Sequence, residues 1–205
     1  MELTAVLTIE QLNFNHPGRA LFRNFDLQLG TGVTWLRGEN GAGKTTLLKL
    51  AGGALDAHGG SIRLDGIDIA QQPLAYRLQA FYCGGDLPQL LWLTVRELLD
   101  LHLSLYPATD AALLDGQVQA LHLGGALEQP LTTLSLGQHK KVQLALALAL
   151  PVRLLLIDEP FNGLDADAMA HLRRQLADPA RLAGQCIVLT SHLEPELPLA
   201  RTVQL

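Results

Sequence analysis

Aromatic side chains are scarce in this 205-residue chain, at 5%, and leucine, alanine and glycine carry the apolar content instead, a balance common in α/β proteins. Charged residues are also few, 17% against 48% hydrophobic, which leaves material for a full core and excludes global disorder. Only two cysteines occur, Cys83 and Cys186, far apart and in no metal-like spacing. That excludes a disulfide scaffold and suits a reducing compartment. Basic residues number 15 against 20 acidic ones, so a formal charge of -5 speaks against a surface built to bind nucleic acid. No run is long enough to cross a bilayer. The most apolar stretch, Val142–Ile157, is broken by Gln143, Pro151 and Arg153, short of the roughly 20 apolar residues a spanning helix needs. The N-terminal MELTAVLTIEQL has neither the basic region nor the cleavage site of a signal peptide. The expectation is a cytoplasmic protein that acts at a membrane, if at all, through a partner.

The first third of the chain reads as short strands. Leu3–Phe14 and Ala20–Leu29 alternate loosely around a His-Pro-Gly turn, and Val33–Leu36 is a compact apolar run bounded by glycines. From Gly43 the spacing turns helical until the paired Gly52 and Gly53. Ser61–Leu64 and Gln79–Cys83 are further strand candidates. Helical spacing then dominates from Thr94 to Leu150. Thr94 and Glu97 have the capping-box form, a second helix starts at Thr109 or Asp110 and runs to Leu123, and a third starts at Ser135 and stops before Pro151. Leu154–Ile157 is an apolar strand, Asp167–Leu176 a helix and Cys186–Thr190 another strand. Strands thus flank a helical insertion.

The strongest local signal is Gly38-Glu39-Asn40-Gly41-Ala42-Gly43-Lys44-Thr45, which fits GxxxxGK[ST] and sits after a predicted strand and before a predicted helix. Glycines let successive backbone N–H groups turn inward toward phosphate oxygens, and the helix N-terminus adds its positive dipole end. Lys44 can then reach between β- and γ-phosphates, the Thr45 hydroxyl can ligate Mg²⁺, and Thr46 offers a hydroxyl near the α-phosphate. Leu154-Leu155-Leu156-Ile157-Asp158-Glu159 is an apolar strand ending in two carboxylates. Asp158 is placed to serve the same metal, and Glu159 to polarise a water for in-line attack.

These two elements fit many nucleotide-binding proteins, small-molecule kinases among them. Leu134-Ser135-Leu136-Gly137-Gln138 narrows the choice: it resembles the LSGGQ signature of ATP-binding cassette (ABC) ATPases. Asn162-Gly163-Leu164-Asp165 resembles that family's D-loop, and Thr190-Ser191-His192 its switch histidine. The elements occur in the family's order along nearly the whole chain.

The resemblance implies an α/β fold: a P-loop NTPase core with a mostly parallel sheet, an N-terminal antiparallel β-subdomain and an α-helical subdomain inserted near residues 86–150, all within one ABC ATPase domain over residues 1–205. It implies ATP and Mg²⁺ as ligands, and a homodimer closed head-to-tail around two nucleotides. Ser135, Gly137 and Gln138 would face the partner's γ-phosphate, and Asp165 would cross to the opposite site. His192 would contact the γ-phosphate and align the water with Glu159. Integral-membrane transporter subunits would dock beside residues 86–95, where Trp92 is the expected exposed anchor, and hold the protein on the inner face of the cell membrane.

Three positions depart from the family pattern. His16, with Phe14 before it, stands where an aromatic ring usually stacks on adenine; an imidazole offers less stacking surface. Counting back from Thr94, Asp86 or Gly85 falls where the family has its Q-loop glutamine. Asp86 is either a metal ligand or a turn residue. Leu136 replaces the commoner glycine, a frequent variation. The leading expectation is the ATP-hydrolysing subunit of an ABC transporter, of an export type or similar to the haem exporter of cytochrome c maturation. A non-transport ABC ATPase and a poorly hydrolysing regulator are the alternatives.

Overall fold

The computed structural model describes residues 5–84, 90 and 92–205. Asp86 lies outside them. Two antiparallel strands open the chain, β1 (Leu7–His16) and β2 (Arg19–Leu29), joined by the Pro17-Gly18 turn. They pair with β4 (Gly59–Leu64) and β5 (Ile67–Asp68) in the order β2-β1-β4-β5. In β1, Gln11 has a left-handed backbone, φ 49, and the register with both neighbours shifts there. Gly60 of β4 meets this bulge so closely that a Cβ would lie 2.4 Å from the Gln11 carbonyl oxygen. Gly60→Ala is therefore expected to cost more than about 3 kcal/mol, read as a lower unfolding midpoint in denaturant, because backbone must move to admit the methyl.

The second sheet runs β6-β7-β8-β3-β9, formed by β3 (Gly32–Arg37), β6 (Ala80–Cys83), β7 (Leu154–Ile157), β8 (Cys186–Thr190) and β9 (Leu199–Gln204). The pairs β3·β8, β3·β9 and β7·β8 are parallel. β7 is buried at every position, and β8 likewise, as a parallel strand covered on both faces must be. Helix α1 (Lys44–Ala51) follows β3 and buries Leu47, Leu48 and Leu50 in the core shared with Leu36, Leu154, Leu156 and Val188. Each fully buried leucine there contributes roughly 1.5–3 kcal/mol relative to exposure. α2 (Pro73–Arg77) places Tyr76 in this core, where its hydroxyl donates to the Ala51 carbonyl at 2.7 Å and burial raises its pKa. The α7 helix (Pro179–Gly184) precedes β8. These parts form one compact unit, residues 1–82, 152–160 and 177–205.

Residues 83–151 and 161–176 form the second unit. It holds α3 (Val95–Leu105), α4 (Ala111–Ala120), α5 (Leu136–Ala149) and α6 (Ala166–Leu176). The Thr94–Glu97 capping box is present in both directions, at 3.2 Å from the Glu97 N–H to Thr94 Oγ1 and 2.8 Å from the Thr94 N–H to Glu97 Oε2. α4 ends at Ala120, earlier than periodicity indicates, because His122 takes a left-handed backbone, φ 57, that no helix can continue through. The strand β9 and the short α2 and α7 carried no usable sequence pattern; each is six residues or fewer.

Three histidines of the helical unit titrate below the ordinary 6.5 because burial disfavours their charged form: His102, His139 and His171. His171 Nε2 donates to Gln117 Oε1 at 2.7 Å, a bond between two buried side chains, and the nearby Arg174 charge lowers its pKa further. Burial makes all three harder to protonate in the native state than in the unfolded chain, so the unfolded chain takes up protons first as the pH falls. The stability they support is complete above pH 6.5 and is lost as the pH drops through their lowered values, by at most about 1.4 kcal/mol per pH unit for each. Thermal unfolding at pH 7.5 and at pH 5.5 checks this; His171→Gln should shrink the difference.

Candidate functional site

The loop from Gly38 to Gly43 links β3 to α1 and curls through glycines at Gly38, Gly41 and Gly43. Gly41 has φ 82 and Gly43 φ 106. A Cβ on Gly43 would lie 2.9 Å from the Phe22 ring and 3.0 Å from Leu21, so sequence and neighbours both require glycine there. α3, α4, α5 and α7 each start under a side-chain cap, from Thr94, Asp110, Ser135 and Asp178. α1 has none: its N-cap residue is Gly43. The first N–H groups of α1 and its dipole end are left for an anion. Lys44 Nζ donates to the loop's own carbonyls, Gly38 at 2.7 Å and Glu39 at 3.1 Å, which holds its ammonium inside the cradle. The Ala42 N–H donates to the Glu39 carbonyl, tightening the turn that Asn40 occupies.

Asp158 follows the buried β7 and is itself 9% exposed. Its Oδ2 accepts from the Thr45 hydroxyl at 2.6 Å, and its Oδ1 accepts from the Thr190 hydroxyl, also at 2.6 Å. Glu159 has φ 49, a left-handed conformation costly for a non-glycine residue, and its N–H donates to Thr190 Oγ1 at 2.8 Å. His192 Nε2 lies 3.5 Å from Glu159 Oε1, at the outer limit of a hydrogen bond. Behind it, the Trp35 indole donates to the Ser191 carbonyl at 3.2 Å, while the Arg37 guanidinium lies 4.6 Å over the indole ring.

The loop, the start of α1 and the ends of β7 and β8 contribute to one cavity of about 350 Å³. Its lining comprises Asn40, Gly41, Gly43, Lys44, Thr45 and Thr46 of the loop and α1, Asp158, Glu159 and His192 after β7 and β8, and His16, Arg19 and Leu21 of β1 and β2. His16 Nε2 is 3.3 Å from Thr46 Oγ1, and Arg19 donates to the Gly41 carbonyl at 3.3 Å. His16 also meets Phe14 edge-on, with ring centroids 5.2 Å apart.

The remaining sequence-identified residues belong to the helical unit. Ser135 caps α5: its hydroxyl accepts from the Gln138 N–H at 3.2 Å, and Gln138 Oε1 accepts from the Ser135 N–H at 2.9 Å. Gly137 is close to the D-loop segment, since a Cβ on it would stand 3.0 Å from the Gly163 carbonyl. Asp165 caps α6 through the Ala168 N–H at 2.9 Å, and Lys141 donates to its other oxygen. The Lys141 bond, then the Ala168 bond, hold its carboxyl below the usual carboxylate range. Trp92 is 72% exposed.

Arg19 and Thr190 were not identified as site residues from sequence. Thr190 opened the segment that resembles the switch histidine and closed an otherwise apolar strand, but it was given no role; for Arg19 the signal was a cation directly after the turn that follows His16.

The donors suit magnesium. The Thr45 hydroxyl and the Asp158 carboxylate are hard oxygen ligands, and Mg²⁺ ordinarily takes one or two carboxylates beside phosphate oxygens and water. Among the described residues, no cluster of three or more His, Cys, Asp or Glu could hold a metal by itself.

A glycine cradle at an uncapped helix, next to a carboxylate-ended strand of a parallel sheet, defines a nucleoside-triphosphate-binding protein of the phosphate-loop class. Within that class the chain belongs to the ABC transporter family, whose model matches residues 22–162, and it is an ABC transporter ATP-binding subunit. It is 35% identical over 188 residues to the cytochrome c biogenesis ATP-binding export protein CcmA of Pseudomonas savastanoi pv. phaseolicola, covering 91% of this chain and 88% of that one. The protein of the same name from Cupriavidus necator is 35% identical over 208 residues, covering 98% and 88%. Among solved structures, an ATP-binding subunit of an ABC transporter superposes with a TM-score of 0.79 at 26% identity, covering 92% of this chain and 80% of that one. Among the described residues, no helix is long and apolar enough to cross a membrane.

Proposed function

We propose that the chain hydrolyses ATP to ADP and phosphate to power a membrane exporter of the cytochrome c biogenesis kind. The observation that carries the catalytic part is the joined set Thr45–Asp158–Glu159 facing an uncapped helix N-terminus in one cavity. Similarity to the two CcmA proteins over nine tenths of the chain supports the transport part.

In this reading the loop amides and Lys44 bind the β- and γ-phosphates, exchanging the ammonium's bonds to Gly38 and Glu39 for charge-assisted ones. Thr45 and Asp158 hold Mg²⁺, which when bound offsets phosphate charge. Glu159 orients a water and takes its proton, and His192 holds the γ-phosphate beside it. His16 and Arg19 flank the rest of the nucleotide. Ser135, Gly137 and Gln138, at the N-terminus of α5, face the ATP of a second copy, and Asp165 helps to order that site. The closed state is then a homodimer that opens after hydrolysis. Exposed Trp92 supports docking of integral-membrane subunits at 86–95, which would hold the protein at the inner face of the membrane from the cytoplasmic side. Nucleic acid has no place in this scheme, given the formal charge of -5.

The test is phosphate release by the purified chain with Mg²⁺ and ATP, joined to gene deletion in its own host. Slow turnover, and loss of haem-stained c-type cytochromes on deletion, are the expected results. Turnover with intact cytochromes would leave an ATPase serving another transporter. Tight ATP binding without turnover would favour a regulator.

A further inference from the structure

Thr190 ends β8 in a dry setting: it is 0% exposed and follows four buried apolar residues, Cys186–Leu189. The parallel register sets Ile157 opposite Leu189, which brings Asp158 and Glu159 beside Thr190. Its hydroxyl makes two bonds of opposite sense. The single proton goes to Asp158 Oδ1 at 2.6 Å, and a lone pair accepts the Glu159 N–H at 2.8 Å. Asp158 Oδ2 takes the Thr45 proton at 2.6 Å, so the carboxylate is clamped between threonines from α1 and from β8 and its plane is set. The Glu159 N–H points to a side chain because its backbone is left-handed, φ 49, a conformation that persists only where the surroundings hold it.

We infer that Thr190 is a positioning residue for nucleotide hydrolysis: one hydroxyl aims Asp158 toward Thr45 and the metal position while holding the left-handed turn that presents Glu159 to the cavity. The inference rests on the hydrolytic reading above. Partners that orient a metal-binding carboxylate typically change metal affinity or activity by about 10–100-fold when removed. The two hydrogen bonds of the Thr190 hydroxyl go to Asp158 and Glu159, whereas Lys44 bonds to Gly38 and Glu39, so removal of the hydroxyl should spare nucleotide binding.

Thr190→Val keeps shape and deletes the hydroxyl; Thr190→Ser keeps the hydroxyl. For Val, kcat should fall about 10–100-fold with KM for ATP near wild type, and the Mg²⁺ needed for half-maximal turnover should rise. Mn²⁺ binding to the ATP-loaded protein, followed by electron paramagnetic resonance, should weaken in parallel. Serine should restore most of both properties. A purely structural hydroxyl would lower the melting temperature of the Val variant and leave the Mn²⁺ affinity and kcat of its folded fraction unchanged, which would overturn the proposal. So would a serine variant as impaired as valine. Should Val fail to fold, Thr190→Ala, which also lacks the hydroxyl, carries the same expectations. An inactive wild type would sink the hydrolytic reading alone, since the Mn²⁺ titration still judges Thr190.

Discussion

Glu159→Gln is expected to lower ATP turnover at least about a hundredfold, the smaller end of what a positioned general base supplies, while ATP binding stays intact. The substitution is nearly isosteric and leaves the main-chain bond from the Glu159 N–H to Thr190, so the left-handed turn has no reason to relax. It removes the negative charge and the ability to accept a proton at the position 3.5 Å from His192. With hydrolysis slowed, Mg-ATP should hold two copies together. Size-exclusion chromatography with and without Mg-ATP reads this directly as a shift from monomer to dimer. Near-normal phosphate release would remove Glu159 from its proposed role, and slow release without a dimer would count against head-to-tail closure.

Lys44→Ala is expected to fail one step earlier. Its ammonium is already directed into the cradle by the Gly38 and Glu39 carbonyls, and those bonds are available for exchange with phosphate oxygens. Hydrogen bonds to charged groups contribute about 1.5–3 kcal/mol each, so ATP affinity should drop roughly ten- to hundredfold. A fluorescent ATP analogue titrated into both proteins measures this. Affinity within error of wild type would show that the loop amides and the end of α1 bind the phosphates without Lys44. The two variants separate binding from chemistry: one should bind without turning over, the other should scarcely bind.

Much of this site was legible because its motifs are local. GxxxxGK[ST] encodes a turn and the start of a helix within one stretch of chain, so Gly43 and Lys44 could be placed before any contact was known. The capping boxes at Thr94–Glu97 and Ser135–Gln138 were equally local, each closing over a single helical turn. Asp165 was less so. The D-loop pattern marked it and its cap on the Ala168 N–H is local, but its tie to Lys141 joins residues 24 positions apart in sequence. That α6 packs with the helical unit, although a core strand and its acidic turn separate them in the chain, also has no signature in residue spacing.

By itself the sequence determined that a phosphate loop, a carboxylate-ended strand, a signature segment and a switch histidine occur in one α/β chain, since each depends on residue type and on periods of a few residues. The tertiary structure alone decided that β3 lies between β8 and β9, and that β8 lies against β7. That order delivers the end of β8 to the end of β7, and so sets one threonine hydroxyl against both carboxylate residues. Hydrogen-bond donors pair across strands according to sheet order and register, and neither is written in the spacing of residues along the chain.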